Sequence, residues 1–258
     1  MPPKVDALHA RQAEILRHLR QTGRVQVERL AALLGTTPQT IRRDLNQLAE
    51  QGKILRFHGG ASLLAGVEYT DFEIRKEIAA DQKEAIGREV ARHLPNNAAI
   101  FLNSGTTVAA VARYLTQHAG LMAVTDSVQM ANTLRTYTGL EVIVPGGAVR
   151  QSDGAILGDV AVDFIRQFRV DIAVVGAAAI SEDGSLLDFD LREASVVRAI
   201  INGARNVILA ADSSKFGRVA PVKSGHLSQI QQLVTDAECP LALRQLCRTH
   251  GVTLIEAR

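Results

Sequence analysis

The apolar positions of the N-terminal part of the chain predict three short helices in close succession. The first covers residues 7–21, where apolar side chains recur at helical spacing: Leu8, Ile15, Leu16 and Leu19. The second covers residues 27–34. In the third, Thr37 has the position of the N-cap, and Pro38 has the first helical position, where a missing N–H costs no hydrogen bond. This third helix should extend to about residue 51.

A β-prone segment over residues 53–58 follows the helices, and Gly59 and Gly60 then favour a turn. Three helices followed by a strand and a turn are typical of a winged helix-turn-helix. We therefore predict a winged helix-turn-helix domain over residues 1–61 and a linker over residues 62–80.

From residue 81 onward, short apolar strands alternate with helical patterns. The predicted strands are residues 98–102, 121–125, 141–144, 170–175, 207–211, 233–235 and 253–255. The predicted helices are residues 82–93, 107–117, 128–135, 160–167, 193–204 and 241–250. Strands that alternate with helices imply a largely parallel sheet covered on both faces. The predicted fold class is thus α/β, with the winged helix-turn-helix ahead of a larger α/β domain over residues 81–258.

Composition sets the class of protein. The chain has 258 residues, 47% of them hydrophobic, which is enough for a substantial core. No apolar run approaches the roughly 20 residues of a membrane span, and the first residues lack the apolar stretch of a secretory signal. Cys239 and Cys247 have no His or Cys at metal-ligand spacing, so we expect ordinary thiols. These features predict a cytoplasmic protein that does not contact a membrane.

Charge is distributed unevenly along the chain. Residues 1–58 contain 10 Lys and Arg against 5 Asp and Glu, which leaves 19 against 22 for the remaining residues. A basic N-terminal domain joined to a mildly acidic body favours a polyanion as the partner of the N-terminal domain alone.

The third predicted helix separates an apolar edge from a polar face. At about 100° per residue, Leu45 and Leu48 lie beside Ile41, so this edge should face the core. The opposite face carries Gln39, Arg42, Arg43 and Asn46. Arg can bond guanine, and Gln and Asn can bond adenine, while hydroxyls bond phosphate. Thr37 and Thr40 lie at the end of the helix that normally enters the major groove.

Three basic side chains fall on the predicted wing, where a cation can contact the DNA backbone: Lys53, Arg56 and His58. An alternative interpretation is that Arg42 and Arg43 are only solvated and that Asp44 is their partner within the helix. The helices, the polar face and the basic wing nevertheless occur together and in order, which favours binding to double-stranded operator DNA.

In the larger domain, Asn103 to Thr107 lies where a strand ends and a helix begins. There the backbone N–H groups, the helix dipole and the hydroxyls could converge on a phosphate, with contributions from Asn103, Ser104, Gly105, Thr106 and Thr107. The same residues would also make a turn and a helix cap without any ligand. The spacing matches neither a nucleoside-triphosphate P-loop nor a GxGxxG motif, and we expect no cofactor and no metal.

Two further loops follow strand ends, and ligands of open α/β sheets bind beyond the carboxyl ends of the strands. They contain Thr125, Asp126, Ser127, Gly146 and Gly147. Arg150 and Lys215 are the cations expected to face a phosphate, and Asp126 and Glu193 could accept hydrogen bonds from ligand hydroxyls. Each of these charged groups could instead form a surface ion pair or a cap, and Glu193 could simply favour the start of its helix.

The Arg42-Arg43-Asp44 triplet and the His58-Gly59-Gly60 wing, at their mutual distance, resemble the signature of the DeoR family of bacterial sugar-metabolism regulators. The resemblance extends to the C-terminus. It implies a sensor domain whose fold resembles ribose-5-phosphate isomerase and glucosamine-phosphate deaminase. It also implies a phosphorylated small-molecule effector. Our hypothesis for DNA binding is that a homo-oligomer, either a dimer or a tetramer, places two recognition helices in successive major grooves.

Further segments, among them residues 163–171 and 212–218, are similar to the glycerol-metabolism branch of that family. This similarity implies repression relieved by glycerol 3-phosphate, with another sugar phosphate as the alternative. The chain departs from the family at two positions, because the family commonly has Asp where Asn103 stands and Asn where Asp126 stands. That departure affects the identity of the effector more than its chemical class.

Two other functions remain open at this point. The sensor fold resembles sugar-phosphate isomerases, and Glu193 could serve as the general base of such an enzyme. The chain could also bind DNA without any effector. The fused DNA-binding domain and the lack of a metal-ligand cluster, a nucleophile elbow or a dinucleotide fingerprint favour a repressor over an enzyme.

Overall fold

The chain forms two compact units, Met1–Glu68 and Tyr69–Arg258. The computed structural model describes residues 4–22, 24–51, 54–57, 59–63 and 72–258. A helix over Phe72–Glu77 falls inside the segment that the sequence predicts as a linker, residues 62–80. The predicted domain boundaries otherwise stay a prediction.

The first unit contains three helices and a small antiparallel sheet. Its elements are α1 (Lys4–Thr22), β1 (Arg24–Gln26), α2 (Val27–Leu33), α3 (Pro38–Glu50), β2 (Ile54–Phe57) and β3 (Gly60–Leu63). The strand order is β1-β3-β2. The sequence did not predict β1, because three residues are too few to show the alternation of a strand. It forms because Val25 pairs with Ala61 of β3.

The helices of this unit enclose one apolar core. Ile15 of α1, Leu30 of α2, and Ile41 and Leu45 of α3 are almost completely buried in it. At the start of α3, Thr37 Oγ1 accepts a hydrogen bond from the backbone N–H of Thr40 at 3.2 Å. This is the predicted N-cap, and it fixes the direction in which α3 leaves the preceding turn.

The β2–β3 hairpin depends on two glycines. Gly59 has a φ of +83°, a conformation that disfavours a side chain. A Cβ on Gly60 would lie 2.2 Å from the carbonyl oxygen of Val25. The wing can therefore pack against β1 only without side chains at this turn.

The second unit is an α/β domain. Its helices are α4 (Phe72–Glu77), α5 (Ala80–Arg92), α6 (Thr106–Arg113), α7 (Val128–Leu134), α8 (Asp159–Ile165), α9 (Leu191–Gly203) and α10 (Leu241–His250). Its strands are β4 (Ala99–Leu102), β5 (Leu121–Thr125), β6 (Leu140–Ile143), β7 (Ala148–Val149), β8 (Ile156–Leu157), β9 (Val170–Val175), β10 (Ala179–Ile180), β11 (Ser185–Asp188), β12 (Ala204–Ala210), β13 (Val222–His226), β14 (Gln232–Asp236) and β15 (Thr253–Ala257).

Seven of these strands form one sheet in the order β15-β14-β12-β9-β4-β5-β6. Every neighbouring pair is parallel. All seven predicted strands are present in it, each within three residues of its predicted bounds. Because the strands are parallel, the loops that follow them emerge at a single edge of the sheet.

Apolar layers cover both faces of this sheet. Ile100 and Leu102 of β4 pack with α5 and α6 on one face, while Phe101, between them, packs with α8 and α9 on the other. This arrangement confirms the predicted burial of the strands on both sides. Among the described residues, no helix combines the length and the apolar character that a membrane span requires.

Two smaller sheets were not predicted. Strands β10, β11 and β13 form an antiparallel sheet, and β7 and β8 form a hairpin. Most of these strands have only two to four residues. Such short strands lack a measurable period, and β13 in addition pairs with β11, a strand distant in sequence.

Candidate functional site

Helix α3 presents its polar residues on an open, concave surface. Its apolar edge, Ile41, Leu45 and Leu48, is completely buried. The lining of the concave surface includes all six side chains predicted for DNA contact on this helix: Thr37, Gln39, Thr40, Arg42, Arg43 and Asn46. The structure therefore brings these side chains together in a shape that can receive a ligand.

A buried ion pair holds α3 against α1. Arg11 Nε and Nη2 lie 2.5 and 3.1 Å from the two carboxylate oxygens of Asp44, whose side chain is completely buried. Beside this pair, Gln12 Nε2 donates to Gln47 Oε1 at 2.8 Å. The alternative interpretation of Asp44 as a partner of Arg42 or Arg43 within α3 is therefore wrong, because the partner of Asp44 is on α1. The pair keeps the concave face of α3 turned outward.

The basic residues of α3 remain accessible. Arg42 Nη2 is 3.2 Å from Glu28 Oε1 of α2, and both side chains are at least half exposed. Exposed pairs of this kind contribute little to stability, so a phosphate can displace Glu28 at small cost. Arg43 and Asn46 are also exposed.

The wing is described only in part. Arg56 lies on β2 and is half-buried, and its Nη1 is shielded from solvent without a hydrogen-bond partner among the described residues. Lys53 and His58, also predicted as wing cations, lie outside the described residues.

In the second unit, Asn103 and Asp126 directly follow the neighbouring strands β4 and β5, and both are buried. Asn103 Nδ2 donates to Asp126 Oδ2 at 3.0 Å, and the backbone N–H of Ser104 donates to Asp126 Oδ1 at 2.6 Å. Burial raises the pKa of Asp126 to about 6, while the hydrogen bonds from Ser104 and Asn103 act in the opposite direction. The carboxylate thus joins two of the predicted effector-binding loops.

The loop after β4 forms the entrance to α6. Gly105 is the N-cap residue, with φ of 152°, and Thr106 and Thr107 begin the helix. Both threonines are buried, and Ser104 Oγ is buried without a hydrogen bond of normal geometry among the described residues. The N-terminus of α6, together with these hydroxyls, can bind an anion.

The loop after β5 already uses its hydroxyls internally. Thr125 Oγ1 accepts from the backbone N–H of Ser127 at 3.2 Å, and Ser127 Oγ accepts from the backbone N–H of Met130 at 3.2 Å. These bonds shape the turn and cap α7. A contact of Thr125 or Ser127 with an effector stays a prediction.

The predicted glycine pair follows β6 and lies on the exposed surface. Gly147 has a φ of 146°, and a Cβ there would lie 2.9 Å from the carbonyl oxygen of Leu157. A Cβ on Gly146 would meet only Val160, at 3.7 Å. The backbone approach to Leu157 of β8 is therefore a structural reason for Gly147, apart from any ligand.

Arg150 and Glu193 contact each other directly. Arg150 Nη2 lies 2.6 Å from Glu193 Oε2, and Arg150 Nε and Nη2 lie 2.8 and 2.5 Å from the two carboxylate oxygens of Asp153. Arg150 Nη1 is also 3.5 Å from Asp190 Oδ2. Burial alone would raise the pKa of Asp153, but the hydrogen bonds and charge of Arg150 outweigh it and keep that pKa low. The predicted cation and the predicted acceptor belong to one ion network.

Lys215 has a second lysine, Lys83 of α5, as an electrostatic neighbour. Burial lowers the pKa of Lys215 to about 8, although the charge of Asp212 opposes this change. Lys83 is buried, and its Nζ donates to the carbonyl oxygen of Arg75. Burial, and next the charge of Lys215, lower the pKa of Lys83 to about 7. Lys83 is buried and Lys215 is half-buried, and the charge of Asp212 opposes the fall of the pKa in both. An anion near the two ammonium groups would favour their charged forms.

The sequence matches two known domain families in the order of the two units. Residues 11–66 match the DeoR-like helix-turn-helix domain, and residues 78–237 match the DeoR C terminal sensor domain. The chain belongs to the DeoR family. The predictions of the family and of the fold class are therefore confirmed.

Several relatives in the DeoR family are repressors. The glycerol-3-phosphate regulon repressor of Escherichia coli is 43% identical over 93% of this chain and 95% of its own length. The repressor of the same name from Haemophilus influenzae is 44% identical over 87% of this chain and 88% of its own length. The repressor CsqR of Escherichia coli is 38% identical over 95% of this chain and 94% of its own length. These relatives support a DNA-binding regulator rather than an enzyme.

Among solved structures, ribose 5-phosphate isomerase A from Methanocaldococcus jannaschii is similar to the chain with a TM-score of 0.41. It is 16% identical, and the match covers 54% of this chain and 55% of that chain.

Five buried charged residues of the DeoR sensor domain were not predicted from the sequence: Lys83, Asp153, Asp188, Asp212 and Asp236. For Lys83 a pattern was available, because it shares the stripe of Ile86 and Val90 on α5, where an apolar residue is expected. Asp153 and Asp212 lie in loops and have no such pattern. Asp212 Oδ2 is buried without a partner among the described residues. The described part of the chain contains no group of three or more His, Cys, Asp or Glu side chains that could hold a metal ion.

Proposed function

We propose that this chain is a DNA-binding transcriptional repressor of glycerol-metabolism genes, and that glycerol 3-phosphate releases it from its operator. One observation carries the proposal. The exposed, concave face of α3 holds polar side chains of the types that can read DNA, in a chain 43% identical over 93% of its length to a glycerol-3-phosphate regulon repressor. Such a repressor works in the cytoplasm, because its operator is there.

On the operator, α3 lies in the major groove. Arg42 and Arg43 bond guanine or phosphate, Gln39 and Asn46 bond base edges, and the hydroxyls of Thr37 and Thr40 bond phosphate at the entrance of the helix. The wing adds backbone contacts through Lys53, Arg56 and His58. A dimer or a tetramer places two such helices in successive major grooves, roughly 34 Å apart.

The effector binds at the carboxyl edge of the seven-stranded sheet. Its phosphate lies at the N-terminus of α6, where the loop Ser104 to Thr107 supplies N–H groups and hydroxyls. The ammonium groups of Lys83 and Lys215 neutralise its charge. Its hydroxyls bond Asn103, Asp126 and the Arg150–Glu193 pair, with Thr125, Ser127, Gly146 and Gly147 completing the wall of the pocket.

Release follows if the effector binds the low-affinity arrangement of the repressor more tightly than the operator-bound one. A difference of about 1–3 kcal/mol is typical of such coupling and lowers operator affinity by about 5–150-fold.

Fluorescence anisotropy of DNA from the promoter region of the chain's own gene tests the proposal. The labelled DNA is titrated with protein, and the complex is then titrated with glycerol 3-phosphate, fructose and ribose phosphates, glycerol and inorganic phosphate. We expect saturable binding to one site and release by glycerol 3-phosphate alone. Release by another sugar phosphate would support the repressor function but assign it a different effector. Binding that no ligand reverses would contradict effector control, and absence of binding would contradict the function itself.

A further inference from the structure

Helix α4 is attached to the loop between β7 and β8. The backbone N–H of Phe72 donates to the carbonyl oxygen of Ser152 at 3.2 Å, and the Phe72 side chain is buried. Arg75 Nη2 donates to Asp153 Oδ2 at 2.9 Å. In chain order, α4 is the first described element after the DNA-binding unit. Its attachment therefore constrains the segment through which the chain enters the sensor unit.

The carboxylate that receives Arg75 is also the carboxylate that receives Arg150. Asp153 Oδ2 lies 2.5 Å from Arg150 Nη2 and 2.9 Å from Arg75 Nη2. Arg150 Nη2 continues to Glu193 Oε2 at 2.6 Å. The side chains of Asp153, Arg150 and Glu193 are 4%, 11% and 9% exposed, so solvent screens these contacts weakly. Removing one member of such a buried network strongly affects the others.

A second connection reaches α4 from α5. Lys83 Nζ of α5 donates to the carbonyl oxygen of Arg75, so this residue is held through both its side chain and its backbone. In the proposed function, Lys83 faces the phosphate of the effector and Arg150 faces its hydroxyls. Lys83 holds Arg75 directly, and Arg150 holds it through Asp153. Both cations thus belong to the proposed pocket.

We propose that Arg75 is the positioning residue that couples the effector pocket to α4, and through α4 to the DNA-binding unit. The inference rests on the proposed function for the identity of the ligand. An anionic ligand draws Lys83 from the Arg75 carbonyl and draws Arg150 from Asp153. The contacts of α4 then differ between the free and the ligand-bound protein, which is the requirement for a coupled change.

Four full-length proteins test the coupling: the wild type, Arg75→Gln, Arg75→Lys, and Arg92→Gln as a control. Arg92 pairs with Glu89 on the exposed side of α5. Operator affinity is measured by anisotropy with and without saturating glycerol 3-phosphate, and ligand affinity by calorimetry. For the wild type and the control we expect the ratio of the two operator affinities to be about 5–150.

For Arg75→Gln, we expect ligand-free operator affinity and glycerol 3-phosphate affinity within about threefold of wild type, and a ratio of operator affinities below about two. Arg75→Lys keeps a cation near Asp153, so most of the wild-type ratio of operator affinities should return. A purely structural role of Arg75 would not predict this recovery. A full ratio in Arg75→Gln would overturn the proposal. Loss of ligand binding in that variant would also overturn it, since Arg75 would then belong to the pocket.

Hydrogen–deuterium exchange tests the same coupling without any ligand. We expect Arg150→Gln to raise amide exchange in α4 by about threefold or more, because Asp153 loses one of its two cations. The matched control is Arg166→Gln, whose pair with Asp163 is exposed, and it should leave α4 unchanged. Unchanged exchange of α4 in Arg150→Gln would overturn the coupling. If no phosphate ester released the wild type from DNA, the proposed function would fail, and the exchange measurement would still decide the coupling.

Discussion

Asn103 Nδ2 donates a hydrogen bond to Asp126 Oδ2 at 3.0 Å, in a pair that is almost completely buried at the ends of two neighbouring strands. The resemblance to the DeoR family implies the opposite arrangement, with Asp at position 103 and Asn at position 126. Relative to that arrangement, the chain exchanges a carboxylate and an amide, which leaves the net charge of the pair unchanged.

This compensation predicts the effect of changing one position at a time. In Asn103→Asp, two buried carboxylates face each other, and the variant should lose about 2–4 kcal/mol of unfolding free energy at pH 7.5. The loss should be smaller at pH 5, where one of the carboxyl groups binds a proton. Adding Asp126→Asn restores one carboxylate and one amide and should recover stability to within about 1 kcal/mol of wild type.

Urea unfolding of the wild type, both single variants and the double variant at the two pH values completes this cycle. Strictly additive effects would show that the two residues do not interact. A double variant that folds but changes its preferred phosphate ester would identify the pair as a determinant of effector specificity.

The polar face of α3 predicts a separation between DNA binding and effector binding. Arg42→Ala or Arg43→Ala should each weaken operator binding by about 1–3 kcal/mol and leave effector affinity unchanged, because these side chains are exposed and lie outside the sensor unit. Anisotropy and calorimetry measure the two affinities. Arg166→Ala, a change at another exposed arginine, is the control. Parallel loss of both affinities would indicate misfolding rather than a lost DNA contact.

Local patterns were sufficient to predict α3, because its apolar residues recur at helical spacing, and the seven parallel strands, because each is a short apolar run between turn or helix signals. They were sufficient to place Asn103 and Asp126 at one edge of the sheet, since parallel strands end together. They could not predict that Asp153, which binds the nearby Arg150, also binds Arg75, a residue 78 positions before Asp153 in the chain. Such a contact depends on the packing of loops, and loops have no period to read.

The buried position of Lys83 should lower the stability of the fold at neutral pH while its charge serves effector binding. Its pKa is 10.5 in the unfolded chain and about 7 in the folded protein, so between these values the unfolded state binds more protons. Stability should therefore increase as pH rises from 7 towards 10, and the charged Lys83 destabilises the fold at neutral pH. Lys83→Met should raise the unfolding free energy at pH 7 by about 1–3 kcal/mol, and it should weaken effector binding about tenfold or more.

The same group predicts the pH dependence of effector binding. In the wild type, affinity for glycerol 3-phosphate should fall from pH 7 to pH 9, as Lys83 and then Lys215, with pKa values of about 7 and 8, lose their protons. Lys83→Met should show a weaker dependence over this range. Calorimetry at three pH values makes the comparison, and an identical slope in both proteins would place Lys83 outside the phosphate site.

The entrance of α6 predicts which hydroxyls serve the effector. Thr106 and Thr107 are buried at the N-terminus of this helix, and valine has nearly the same shape as threonine, so Thr106→Val with Thr107→Val should fold normally. Each lost hydrogen bond to a charged phosphate is worth about 1.5–3 kcal/mol, and the double variant should need at least tenfold more effector for release. Operator affinity without effector should stay at the wild-type value. Thr133→Val is the matched control, because the hydroxyl of Thr133 bonds the carbonyl of Gln129 within α7 and faces solvent. If the double variant and the control responded alike, the loop would be only a helix cap, and the phosphate would have to bind elsewhere.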